Sequence, residues 1–134
     1  MKHVRTIFAL GYLLTAACGS AAPPPPQRPA LQALLEEKKF QPTEMYTGVD
    51  TPEDQRPLEA IVDGAIRDVS ALPEPLSKEA VRSRLASMVD DADGYATEDR
   101  EQVYKYAVRT WRAAGFKDES HLLPVPDQQV LANP

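Results

Sequence analysis

Four amphipathic segments, the proline- and glycine-bearing breaks between them, and no convincing stretch of period-two alternation predict an all-α fold. The expected architecture is a small three- to four-helix bundle set behind a signal peptide and a Pro-rich linker. The chain of 134 residues is 43% apolar and 26% charged, the composition of a folded globular protein, and its length admits a single core. The organisation reads as a signal peptide over 1–17, a cysteine and Pro-rich linker over 18–29, a helical domain over 30–123, and an extended or disordered tail over 124–134.

The leader has a basic start, Lys2 and Arg5, and then an apolar run from Ile7 to Leu14. That run is too short to span about 30 Å of hydrocarbon as a helix, so it reads as an export signal. The segment Leu13-Leu14-Thr15-Ala16-Ala17-Cys18 resembles the lipobox of bacterial lipoproteins, in which small residues precede a cysteine that carries the lipid. Ala16 and Ala17 fit that pattern, whereas Thr15 stands where Leu is usual. The alternative is cleavage after Ala22, where Ser20-Ala21-Ala22 offers small residues, giving a soluble periplasmic or secreted protein. Cys18 is the single cysteine, which excludes an intramolecular disulfide and a multi-cysteine metal site. Pro23 to Pro26 favour an extended polyproline form of about 3 Å per residue, a spacer of roughly 20 Å once Gln27 to Pro29 are included. Gly19 after the cysteine implies, by the same resemblance, sorting to an outer membrane with the domain facing the periplasm.

In the domain, Leu31, Leu34 and Leu35 share one side of a helix over Ala30 to Phe40, bounded by Pro29 and Pro42. A loop follows to Asp50. Thr51-Pro52-Glu53-Asp54 carries the marks of a helix start, namely a hydroxyl cap, an early proline and acids near the positive end of the dipole. Pro57 is expected to kink or restart that helix. Leu58, Ile61, Val62, Ala65, Ile66, Val69 and Leu72 then recur at the helical period until Pro73 and Pro75. Ser77 caps a third helix with Val81, Leu85, Met88, Val89 and Ala92 inward, ended by a left-handed Gly94. Thr97-Glu98-Asp99 opens the last helix, with Val103, Tyr104, Ala107, Val108, Trp111 and Ala114 as its expected inner face. Gly115 ends it, and Phe116 is placed to fold back on the final turn as in a Schellman motif.

Several short motifs stand out along this domain: Lys38-Lys39-Phe40, Met45-Tyr46-Thr47-Gly48, Thr97-Glu98-Asp99-Arg100-Glu101, and Gly115-Phe116-Lys117-Asp118-Glu119-Ser120. With them, Ala30 to Leu123 resembles a family of small bacterial helical domains of unknown function. The tail after Leu123 departs from that pattern, and the resemblance implies no activity.

Few residues invite chemistry. Asp90, Asp91 and Asp93, with Glu101 twelfth from Asp90, suggest a calcium loop as a weak metal alternative. An EF-hand wants ligands at positions 1, 3 and 5 and Gly at 6; here Ala92 falls at 3 and Gly94 at 5, so a solvated turn is the expectation. His121, the one histidine after the leader, sits beside Ser120 and Glu119, but a catalytic set is made by geometry in space and not by adjacency. No catalytic residue and no cofactor is assigned. Trp111 and Tyr104, one heptad apart, are expected in the core. Tyr106, Arg109 and Arg112 are expected to form an exposed aromatic and cationic patch of the residue types favoured in binding hot spots.

Without Lys2 and Arg5 the chain keeps 13 basic residues against 20 acidic ones, a net charge of −7. That balance excludes nucleic acid as a partner and disfavours electrostatic docking on anionic lipid. The expected function is a non-enzymatic, lipid-tethered protein of the cell envelope that binds or scaffolds another envelope protein. The alternatives are an immunity or inhibitor protein whose acidic surface suits a basic toxin, a small-ligand carrier, and a small hydrolase centred on His121 or Asp93.

Overall fold

A computed structural model describes residues 28–119 and 122. The leader, Cys18, the proline run, His121 and the tail from Leu123 lie outside these residues. Four helices make the expected all-α bundle: α1 (Pro29–Glu36), α2 (Gln55–Ala71), α3 (Lys78–Asp91) and α4 (Thr97–Ala113), with a single 3-10 turn at Pro52–Asp54 leading into α2. Helices α2 and α4 touch each other; α1 packs against both of them on one side and α3 against both on the other. The core between them holds Leu31 and Leu34 of α1, Leu58, Val62, Ile66 and Val69 of α2, Val81, Leu85 and Met88 of α3, and Val103, Ala107 and Trp111 of α4. Burying each of the larger side chains stabilises the fold by about 2 kcal/mol, so this shared core accounts for the packing of all four helices.

The faces of α1, α2 and α3 follow the sequence, whereas several helix ends do not. Helix α1 stops at Glu36 and does not reach Phe40, because the chain turns extended at Glu37 and Phe40 adopts a left-handed φ of 54° with its ring buried. Pro57 neither kinks nor restarts α2; it lies in the first turn, where amide protons lack intrahelical acceptors in any case. Thr51 makes no side-chain cap, and its carbonyl instead accepts from the Asp54 N–H at 2.9 Å. Thr97 is the first residue of α4 rather than its cap, so Glu98 and Asp99 supply the favourable charge at that end. Ser77 does cap α3, accepting from the Ala80 N–H at 3.3 Å. That helix closes on buried Ala92, and Gly94 is not left-handed.

Two helix C-termini are finished by different means. At the end of α4, Gly115 takes φ 96°. Its N–H bonds the Arg112 carbonyl at 2.9 Å, and the Phe116 N–H bonds the Trp111 carbonyl at 3.3 Å. This is the Schellman arrangement, completed by the Phe116 ring, 4.4 Å from Trp111 between centroids. The following chain crosses Trp111, whose indole donates to the Asp118 carbonyl at 2.8 Å, and brings Leu122 into the core. At the end of α2 the cap comes from far away in sequence. The Arg28 guanidinium donates to the carbonyls of Val69 (3.0 Å), Ser70 (2.5 Å) and Leu72 (2.8 Å) and pairs with Glu74 at 2.9 Å. A cation at the negative end of the helix dipole is favourable, and this one joins the start of the domain to the α2–α3 connection.

The contrast between the two glycines gives a direct test. Gly115→Ala should cost about 1–2 kcal/mol, because an L side chain is strained at that φ, whereas Gly94→Ala should change stability by less than about 0.5 kcal/mol. Urea denaturation of the two variants measures both.

Candidate functional site

The connection between α1 and α2 runs for some fifteen residues without helix or strand, long enough that it needs its own anchors. Two buried polar groups supply them. The first is Lys39, 2% exposed. Its ammonium donates to the carbonyls of Leu34 (2.6 Å), Glu37 (3.3 Å) and Leu35 (3.4 Å), closing the C-terminus of α1. It also stands 2.7 Å from Asp63 Oδ1 on α2. That last contact is an ion pair by distance and does not meet hydrogen-bond geometry, while the carbonyl contacts do. The second anchor is Asp99, 1% exposed in the first turn of α4. It accepts from the Tyr46 hydroxyl at 2.6 Å and from the Asp50 N–H at 3.2 Å. Burial, followed by the hydrogen bond to Asp99, pushes the Tyr46 phenol well above the ordinary tyrosine range.

Thus pinned, the connection forms one wall of a cleft of about 260 Å³ against α4. Phe40 and Tyr106, their rings 5.6 Å apart and tilted, lie at its base. Lys38, Gln41 and Thr43 line one side, and Gln102, Lys105 and Arg109 the other. Arg109 forms a two-pronged pair with Glu37, 2.6 Å at each prong, and its guanidinium lies 5.3 Å from the centre of the Tyr106 ring. The hydrogen bonds from Arg109 hold the Glu37 carboxyl below its usual range, so Glu37 stays ionised and balances that guanidinium. Lys38 and Lys105 make no ion pair with any described residue. The cleft therefore carries two ammonium groups that have no ion-pair partner among the described residues, with an aromatic pair, a hydroxyl and carboxamides beside them. Such a set has the chemistry to receive an anionic group, and its lining places no nucleophile beside a base.

The sequence-predicted patch is redistributed. Tyr106 is 8% exposed and faces inward, while Tyr104, expected in the core, is 39% exposed. The buried stripe of α4 runs through Asp99, Val103, Tyr106, Ala107, Thr110 and Trp111. Asp99 and Thr110 are polar letters whose needs are met internally, Thr110 by donating to the Tyr106 carbonyl at 2.7 Å, and a reading of apolar letters alone rotates the face toward Tyr104. Tyr106 and Arg109 do meet at the cleft, but Arg112 turns away to pair with Glu119. Asp90, Asp91 and Glu101 are exposed, and Asp93 pairs with Arg100 at 2.8 Å. Among the described residues no three acidic, histidine or cysteine side chains converge as metal ligands.

Sequence reasoning missed the roles of Lys39, Asp63, Asp99 and Tyr46. The signal lay in the short motifs, since Lys38-Lys39-Phe40, the Tyr46 motif and the Asp99 motif all meet at this one connection. The fourth motif, Gly115-Phe116, builds the Schellman turn.

A small helical domain with a long connection pinned on its last helix is the class that this geometry defines. The chain belongs to the family described as Domain of unknown function (DUF4844), which matches residues 22–124. No curated protein and no solved structure matches it.

Two variants test the anchors. Lys39→Met should destabilise the domain by about 3 kcal/mol in urea unfolding, since it strips three carbonyls of their donor and leaves Asp63 without its closest cation. Tyr46→Phe should cost about 2 kcal/mol at pH 8 by leaving one oxygen of a buried carboxylate without its donor. Because the folded-state pKa of Tyr46 is raised, its contribution is complete below the unfolded value of about 10 and declines as pH rises above it. The gap between wild type and Tyr46→Phe should therefore narrow by about 1 kcal/mol between pH 10 and 11, measured by denaturation across that range.

Proposed function

We propose that this is an exported, lipid-tethered protein of the bacterial cell envelope that acts without catalysis, by binding a second envelope protein. The observation that carries the binding part of this reading is the cleft: two lysines without an ion-pair partner among the described residues line it together with Phe40 and Tyr106, on a chain that is acidic overall. Pockets that recognise partners combine an apolar or aromatic base with a few placed polar groups, and the anchoring of one wall by Lys39 and Asp99 limits the ordering cost on binding. The tether part rests on the leader, where Lys2 and Arg5, the apolar run Ile7 to Leu14, and Ala16-Ala17 before Cys18 follow the lipoprotein pattern. Outer-membrane attachment facing the periplasm follows from Gly19 under the same pattern. Among the described residues no helix is long and apolar enough to cross a membrane, and the attachment proposed is through Cys18.

Fractionation and mass spectrometry test the tether, and in-cell crosslinking tests the binding. Wild type should be recovered from membranes with a diacylglyceryl-modified Cys18 at its N-terminus, and Cys18→Ala should move to the soluble fraction. A mature N-terminus at Pro23 would overturn lipid attachment. Recovery of the wild-type chain from crosslinked envelopes without any protein adduct would overturn the binding role.

A further inference from the structure

Among the described residues, the most exposed large apolar side chain lies two residues after Thr43, in the turn that continues one wall of the cleft. Met45 is 91% exposed, yet the turn that displays it is fixed at several points. The Thr43 N–H bonds the Tyr46 carbonyl at 2.6 Å, and the Met45 N–H bonds Thr43 Oγ1 at 3.3 Å. The adjacent Tyr46 is buried and tied to Asp99. Thr43 itself lines the cleft. A long apolar side chain held out in water on a pinned turn does nothing for the core, whereas a methionine offers an adaptable apolar contact to a partner.

Resting on the binding role above, we infer that the Met45 turn and the cleft are one docking surface, and that its occupant is an acidic peptide segment of a partner protein. Carboxylates of that segment lie between Lys38 and Lys105, and an apolar side chain next to them packs on Met45. The charge pattern favours this occupant over a single phosphate. The two free ammonium groups come from different elements, the connection and α4, and the guanidinium that would grip a phosphate in two-pronged fashion is already taken by Glu37. Separate positive points with an apolar one nearby suit a peptide, whose successive side chains can supply carboxylates and an apolar group in turn.

The test is photocrosslinking in living cells with the full chain, placing benzoylphenylalanine at position 45 or, as a control on the far side, at position 78 of α3. The adduct segment is then sequenced by mass spectrometry. The expected result is a protein adduct from position 45 whose crosslinked segment contains Asp or Glu beside an apolar residue. Its yield should fall at least tenfold in a Lys38→Glu/Lys105→Glu background and stay unchanged in Arg84→Glu. Circular dichroism melts of the double variant separate loss of binding from loss of fold: a reduced yield with an unchanged melt supports the surface, and a yield that persists overturns it. An adduct with a lipid or a glycan, or with a peptide lacking acidic residues, overturns the assigned occupant. Protein adducts from position 78 with none from position 45 place binding elsewhere, leaving the general binding role standing, whereas no protein adduct from either position defeats both.

Discussion

The ammonium of Lys39 is the contact on which the shape of this domain turns. A lysine taken out of water is costly unless its charge and all three donors are met. Here Asp63 meets the charge, and the last carbonyls of α1 with that of Glu37 meet the donors. The same group therefore ends α1, fixes its end against the middle of α2, and sets the direction in which the chain leaves. Phe40 adopts its left-handed conformation one residue later, a strain of about 1–2 kcal/mol. That strain persists because burial of the ring against Tyr106 and the anchored Lys39 on its N-terminal side leave the backbone no other path.

Asp99 complements this from the other end of the connection. Without strands, a loop of this length has few backbone bonds of its own, and its fixed placement rests on side chains that reach across to helices. Lys39 reaches to α2, and Tyr46 and Asp50 reach to α4 through one carboxylate. Gln55 joins in, donating to the Lys39 carbonyl at 3.0 Å. The result is a wall made of irregular chain that nonetheless faces α4 in a defined geometry. Defined geometry with accessible polar groups is what separates a cleft suited to recognition from a surface dimple.

What the sequence reveals divides along the distance between partners. Helices α2 and α3 are legible because their apolar letters recur at the period of the helix and little else lies on the inner face. The end of α4 is legible because Gly115 and Phe116 act on residues three and five positions back. The face of α4 is misread by roughly one position, since Asp99 and Thr110 belong to it and their satisfaction comes from Tyr46, fifty-three residues away, and from the helix backbone. The anchors themselves are illegible for the same reason. Nothing local distinguishes Lys39 from Lys38, its neighbour, yet one is buried and paired while the other is exposed and makes no ion pair with a described residue. Burying Lys39 and exposing Lys38 is decided by where α2 places Asp63, which only the packed bundle settles. Arg28 follows the same logic, because its three carbonyl acceptors lie more than forty residues ahead.

The sign of the cleft is opposite to that of the chain, and distance decides which of the two a partner meets. With a net charge of −5, the whole molecule repels an acidic segment at long range. At physiological ionic strength that repulsion is screened beyond about 8 Å, whereas contacts inside the cleft are closer than this. A segment that has reached the cleft therefore experiences Lys38 and Lys105 more strongly than the many acids spread over the far faces, several of which are already neutralised by Arg67, Arg82, Arg84, Arg100 and Arg112. Salt consequently acts in two directions. It weakens the short-range attraction gradually and removes the long-range repulsion early, so association with an acidic partner is favoured at moderate ionic strength over very low salt. On the proposed reading, the local placement of the two lysines, and not the overall charge, selects the partner.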